Sequence, residues 1–520
     1  MADQYDYVIV GAGSAGCVLA NRLSADPRIR VVLLEAGGPD RKREIKIPAA
    51  FPKLFHTAYD WELFTAKQQE LAGRELYWPR GKTLGGSSSI SAQMWVRGAR
   101  ADYDAWGAGW TYDEVLPYFH RAERREGSNS AQTYGTDGPL WIEELRSPNP
   151  LRAAFFGACA DAGMQRLPEL NVPSIDGYAP TPVNQHRGRR WSAADGYLKP
   201  IRHRRNLTVL TDAPARRVRF DGKRAVGVLY RTGAGTIAEV TATREVIVSA
   251  GSVHSPHLLQ LSGIGDPDML RNADVEPLVA HPAVGRNLQD HLSTAVIMHS
   301  PDRVTLVNAE KPTELVKFLT RRRGMLTSNI AEGVAFGRSD PSLAVPDLEF
   351  VFAPVPFIDH GQVKPPGHGI TVGVILLQPD SRGSVTVRSA DPSVAPQIDP
   401  GYLTAPRDLA RIVQGVRQCQ ELFATSALRR HVSAQMEPGP GETDLEEFVR
   451  AQAETLYHPV GTCRMGADGD SVVDTELRVR GVDGLRIVDA SVMPTIIRGH
   501  THAPTVMIAE KGADLIRNSR

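Results

Sequence analysis

Residues 5–16 read YDYVIVGAGSAG, and a second apolar run, VVLLE, follows at 31–35. Both runs are short, rich in β-branched residues and suited to buried strands. Between them Gly11, Gly13 and Gly16 stand in G-x-G-x-x-G spacing around Ser14 and Ala15, and Ala15, Val18, Leu19 and Leu23 mark one side of a following helix. One glycine makes the tight turn, another admits a pyrophosphate to the backbone, and the third lets helix and strand pack closely. The helix N-terminus adds free N–H groups and positive dipole charge. Glu35, beside Ala36, lies 22 residues beyond Gly13, where an acid accepts hydrogen bonds from ribose hydroxyls and repels a 2′-phosphate. Strand, glycines, helix, strand and acid in this order predict a dinucleotide-binding fold, without choosing between NAD and FAD.

The 520 residues are material for several domains. Apolar residues make up 42% and charged residues 23%, and the formal net charge is +1. That balance gives no global attraction to nucleic acid or to an anionic membrane. The short basic runs at 202–205 and 321–323 read as solvated loops. No stretch reaches the ~18 apolar residues of a membrane span, and no signal-peptide pattern opens the chain. Cys17, Cys159, Cys419 and Cys463 are widely spaced, which suits a reducing compartment, so the cytoplasm is the expected location.

Three further segments carry chemistry. RGKTLGGSSSISAQMWVRG at 80–98 is a glycine–serine loop in which Gly85 and Gly86 let the backbone pass close to a ligand. REVIVSAGSVHSPHLLQLSGIG at 244–265 reads as strand, turn and helix, with a close-approach step at Ala250–Gly251. LRIVDASVMPTIIRGHTHAPTVMIAEKGADLI at 485–516 gives a strand, Asp489, a loop with two histidines and a final helix. Together with VGRNLQDH (284–291), RRWSAADGYL (189–198) and YHPVGTCRMG (457–466), these segments resemble the glucose–methanol–choline oxidoreductase family along nearly the whole chain, with choline dehydrogenase-like and alcohol dehydrogenase members.

That resemblance implies a bound FAD, a substrate domain built over the flavin, and oxidation of a CH–OH group. Carried over by position, Gly11, Gly13, Ser14, Ala15, Gly16, Glu35 and Ala36 hold the ADP half. Arg80, Gly85, Gly86, Ser91, Ala92, Gln93 and Met94 line the middle and the flavin ring. Ala250, Gly251, Asp489, Ala490, His500 and Thr505 complete the flavin site, and Ala215 replaces the usual valine beside adenine. Ser91 replaces an asparagine found in many relatives. Ile90 stands where members with covalently attached flavin carry histidine, so the FAD is expected to be noncovalent.

Oxidising an alcohol requires hydride to leave carbon and a proton to leave oxygen, so a base must reach the hydroxyl. Histidine suits this near neutral pH. His458, extended by Pro459, and His502, 44 residues later, are the expected catalytic pair, bracketing the substrate oxygen with the base unassigned between them. The final helix is expected to point its N-terminus at the flavin. His500-x-His502 has no carboxylates at ligand spacing, so no metal is expected. Cys463 reads as packing. Phe352 and Phe357 stand equally as substrate-facing or core residues.

The fold expected is α/β: a Rossmann-like FAD-binding domain from 1–154, 205–290 and 450–520, and a discontinuous α+β substrate domain from 155–204 and 291–449 with a largely antiparallel sheet. Strands are expected within 369–379 and 383–391, and an amphipathic helix over 407–424. The expected partners are a small-molecule alcohol and oxygen or another electron acceptor. The rivals are an FAD-containing lyase resembling hydroxynitrile lyases, a metal-dependent hydrolase using His500 and His502, and a non-catalytic flavoprotein.

Overall fold

In the computed structural model, residues 3–126 and 133–519 are described. The strand Asp3–Val10 pairs in parallel with Val31–Leu34 on one side and Ile237–Val248 on the other. Val31–Leu34 is buried along its whole length, because a parallel strand covered on both faces is apolar throughout. Leu207–Leu210 extends the sheet beyond it, also in parallel. On the far side Arg224–Arg231 and Ala215–Asp221 add as antiparallel strands, and Leu485–Ile487 joins the end of Ile237–Val248 in parallel.

The helix Ser14–Leu23 leaves the glycine loop with no side-chain cap and packs against the final helix, His502–Asn518. Arg22 pairs with the buried Glu510 across that contact at 2.7 Å. The tight entry depends on two glycines. Gly11 turns at φ +95°, and a Cβ on Gly16 would lie 1.8 Å from the Gly11 carbonyl oxygen.

A second sheet is antiparallel throughout. Its order is Gln435–Glu437, Leu292–His299, Gly369–Leu376, Leu348–Ala353, Gly333–Gly337, Tyr178–Pro180, with Glu454–Thr455 also paired to Leu292–His299. The amphipathic helix observed over Pro406–Ala424 buries Leu409, Ile412, Val413, Val416 and Leu422 against it. Truncating one such residue, Ile412→Ala for example, costs about 2–5 kcal/mol. The strand expected within 383–391 forms only as Ser384–Thr386, and it pairs with Gln397–Asp399 in a separate ribbon.

The strands of the first sheet fall in 1–154, 205–290 and 450–520. Those of the second fall in 155–204 and 291–449, apart from Glu454–Thr455. Core packing crosses the expected boundaries. Ala193, Ala194, Tyr197, Leu198 and Ile201 pack in the first core, whereas Leu63, Trp78 and Val253 pack in the second. All four cysteines are free and buried.

Candidate active site

A cavity of about 750 Å³ runs from the glycine loop at Gly13 to the second sheet at Thr371, Gly373 and Ile375, within the roughly 300–1,000 Å³ usual for ligand and cofactor sites. Every site residue expected from the sequence lines it except Gly16 and Gly85. Those two, expected to hold the cofactor, lie just behind the lining. Gly16 packs on Gly11. Gly85 turns at φ +89°, and its N–H donates to the Ala12 carbonyl.

The cavity suits a dinucleotide flavin on its own evidence. A Cβ built on Gly13 meets nothing within 4 Å, beside a helix N-terminus whose free N–H groups attract phosphate. Glu35 Oε2 accepts from Ala12 N–H and its Oε1 from Gly37 N–H, both at 2.8 Å, and burial pushes its carboxyl up to about 7. Along the walls, Gln93 Oε1, Asn329 Oδ1, Ser249 Oγ and His502 Nε2 are buried without partners in the protein, an arrangement that a polar ligand resolves. Asp489 is already committed: it accepts from Gly251 N–H and from Ser255 and Ser491, and so clamps the Ala250–Gly251 turn to the last strand.

His458 is fixed from several directions. Its own N–H donates to Asp290 Oδ1 at 2.7 Å. Asp290 Oδ2 also accepts from Thr455 at 2.6 Å and from Tyr402, although burial raises its carboxyl to about 6. The preceding Tyr457 sits at φ +70°, a conformation costly for a bulky residue and typical of functional sites. Arg80 donates to its carbonyl at 2.5 Å, and Thr455 Oγ1 accepts its N–H at 2.8 Å.

The imidazole of His458 meets a residue absent from the sequence-derived set. His458 Nδ1 lies 2.9 Å from His291 Nδ1, and His291 Nε2 lies 3.1 Å from the Leu377 carbonyl oxygen. A carbonyl only accepts, so His291 carries its proton on Nε2 and its Nδ1 is an acceptor. His458 must then donate from Nδ1, and its Nε2 is left with a lone pair. Burial keeps both rings neutral. It lowers His291 to about 3 and holds His458 well below the ordinary histidine range, with His500, His291 and Arg80 depressing His458 further.

The second expected member of the pair, His502, lines the same cavity, with its Nε2 buried and free of protein partners. Besides His291, the ring that meets His458 edge-on is His500, with centroids 4.7 Å apart at 86°. His500 Nε2 lies 3.1 Å from Oε1 of the buried Glu349 on the second sheet. His502 turns to the glycine loop instead, with Nδ1 2.9 Å from Ser14 Oγ and its ring edge-on to Trp95. Burial lowers His502 to about 4, and Arg190 contributes. Arg190, brought down to about 9 by burial although the Asp195 charge acts against this, reaches Ser91 Oγ at 3.3 Å and forms no ion pair among the described residues. Its positive charge beside His502 and Ser91 favours an anionic group there.

The remaining expectations sort by burial. Phe357 lines the cavity, together with Phe51 and Phe55, while Phe352 is fully buried and stacks on Phe155 at 5.2 Å. Cys463 lies in the first core, its thiol pushed up by burial. His254 and His257 also face the cavity, but burial lowers them to about 3 and about 4, and His254 packs on Trp61 at 4.1 Å. Among the described residues the group with ligand atoms close enough for a metal ion is Asp359, His360 and Glu454. There His360 Nδ1 already meets the Tyr457 hydroxyl at 2.6 Å and its Nε2 meets Glu454 at 3.3 Å. His291, which lies in the segment at 284–291 but does not stand out there from an ordinary histidine, and Glu349 each meet their partner from more than 150 residues away.

Family models described as GMC oxidoreductase match residues 5–293 and 379–509. The chain is 50% identical over 531 residues to an uncharacterized GMC-type oxidoreductase of Mycobacterium tuberculosis, covering 100% of both chains. It is 41% identical over 526 residues to an alcohol dehydrogenase [acceptor] of Pseudomonas putida, covering 98% of this chain and 95% of that one. Among solved structures, pyridoxine 4-oxidase from Mesorbium loti superposes with a TM-score of 0.91 at 34% identity, over 99% of this chain and 100% of that one. On this match across both halves, the chain belongs to the GMC oxidoreductase family, FAD-dependent enzymes that act on CH–OH donors.

Proposed function

We propose that this enzyme oxidises the CH–OH group of a small alcohol to the carbonyl, with His458 Nε2 as the base and His500 as its partner at the substrate oxygen. FAD supplies the two-electron acceptor for the hydride that leaves carbon. Ile90, buried on the cavity wall, offers no atom for a covalent link, so the cofactor is held by contacts alone.

The observation that carries this reading is the chain from the Leu377 carbonyl through His291 to His458 Nδ1. It aims an unprotonated nitrogen at the alcohol, and as the hydroxyl proton moves there the ring becomes doubly protonated. Glu349 Oε1, 3.1 Å from His500 Nε2, orients the His500 ring. A hydrogen bond from that ring to the substrate oxygen as negative charge develops on it is worth most where water is excluded. His502, against Ser14 on the glycine loop, is assigned to the cofactor instead.

Phe51, Phe55, Phe357 and Tyr457 form an aromatic wall beyond His458, which suits an alcohol with an apolar body. The alcohol dehydrogenase and oxidase names of the relatives weigh against a lyase. Anaerobic stopped-flow reduction of the flavin tests the assignment. His458→Ala should slow it by roughly 10²–10⁴-fold, the scale of general base catalysis, and His502→Ala should chiefly weaken FAD retention. Undiminished reduction in His458→Ala would overturn the proposal.

A further inference from the structure

The helix Pro312–Arg321 buries only Phe318 of its large apolar side chains, beside Glu314, whose carboxylate accepts from Met325 N–H at 2.8 Å and from Lys317 at 2.6 Å. Leu315, Val316 and Leu319, neighbours on its other face, are 45%, 58% and 58% exposed. The short helical turn Leu306–Glu310 packs beside it, and there Val304 and Val307 are 40% and 43% exposed. Five large apolar side chains thus meet water on one segment, where a helix of a globular protein ordinarily turns such residues inward.

The same segment concentrates charge. Residues 303–323 hold six basic and two acidic side chains, in a chain whose net charge is +1. The acids are internally engaged: Glu314 is buried, and Glu310 is bound by Lys53 at 2.7 Å and by Lys364 at 2.9 Å. Arg303, Lys311, Lys317, Arg321 and Arg323 are exposed around the apolar face.

We infer that this face docks on a lipid bilayer bearing anionic headgroups, with Leu315, Val316 and Leu319 in the acyl boundary and the basic residues at headgroup level. An apolar stripe flanked by Lys and Arg is the pattern of a helix lying in the interface plane. Charge selects this occupant over a second copy of the chain, since a two-fold contact would set the same net positive segment against itself. No helix among the described residues is long and apolar enough to cross a membrane, so the contact is at the surface. The placement serves the cavity. Lys53 belongs to the turn Pro48–Leu54, whose Phe51 lines it, and Lys364 follows the Phe357–His360 wall. Docking sets that wall against the layer into which apolar alcohols partition.

Cosedimentation of the FAD-loaded full chain with vesicles tests this. Vesicles of phosphatidylcholine mixed with phosphatidylglycerol should bind the protein, pure phosphatidylcholine far less, and added salt should release it. The triple variant Leu315→Ser, Val316→Ser, Leu319→Ser should lose at least about tenfold in vesicle affinity, with an unchanged flavin spectrum and unchanged reduction by a water-soluble alcohol. Absence of wild-type binding to the anionic vesicles, or a triple variant that binds as wild type does, would overturn the inference. So would sedimentation of the wild type as a dimer that the triple variant breaks, which would assign the face to a second copy.

Discussion

Replacing His291 with phenylalanine isolates the step on which the mechanism depends. Phenylalanine keeps the ring volume and burial but removes both nitrogens. His458 Nδ1–H, now 2.9 Å from a nitrogen, would face carbon, and the Leu377 carbonyl would lose its donor as well. Leaving one buried polar group unpaired costs about 1–3 kcal/mol. His458 relieves that cost by rotating or by moving its proton to Nε2, and either change removes the lone pair from the alcohol. If the whole penalty falls on the reactive arrangement, it corresponds to roughly 5- to 150-fold in rate, at about 1.4 kcal/mol per tenfold. The assay is anaerobic flavin reduction across a range of alcohol concentrations. The limiting rate should fall by that factor while the half-saturating concentration changes little, because His291 is held by His458 and Leu377 rather than by ligand. His291→Asn, whose amide oxygen can accept near the position of Nδ1, should recover most of the rate. A His291→Phe enzyme that reduces its flavin at the wild-type rate would refute the tautomer argument.

Other outcomes follow from the same geometry. Because burial holds His458 well below the ordinary value of about 6.5, the base is unprotonated at neutral pH. The acid limb of kcat/KM should therefore lie below pH 6.5, with activity present above it and lost as pH falls through it; a limb near 7 would contradict this. Glu349→Gln removes the charge facing His500 Nε2 and should lower flavin reduction by about tenfold or more, the scale of one charge-assisted hydrogen bond of 1.5–3 kcal/mol, with the FAD content intact. His502→Ala should release FAD during gel filtration at dilutions where the wild type stays yellow, since it cuts the link to Ser14. Gly16→Ala should yield little folded holoprotein, because its Cβ would sit 1.8 Å from the Gly11 carbonyl oxygen.

The parts of the fold that were legible are those set by neighbours in sequence. The glycine spacing, the apolar run of Val31–Leu34 and the periodicity over Pro406–Ala424 are local, and the backbone obeys them. The three histidines His458, His500 and His502 were legible as lining one site, but the direction in which each ring turns was not. His500 and His502 would point the same way in an extended loop, but His502 opens the final helix, and the two rings separate toward Glu349 and Ser14. Nothing near them in sequence announces those partners. His291 was legible as a histidine of a family segment, but its contact is not: that arises only once Leu292–His299 and Gly369–Leu376 pair and bring it beside the Leu377 carbonyl. The ribbon formed by Ser384–Thr386 was misplaced because alternation predicts a strand without naming its partner.

The most direct measurement is anaerobic bleaching of the flavin absorbance by a panel of primary, aromatic and amino alcohols, in the wild type and in His458→Ala at equal FAD content. Bleaching of the wild type by at least one alcohol class, slowed roughly 10²–10⁴-fold in the variant, is the predicted result. Equal bleaching rates in the two proteins would contradict the account.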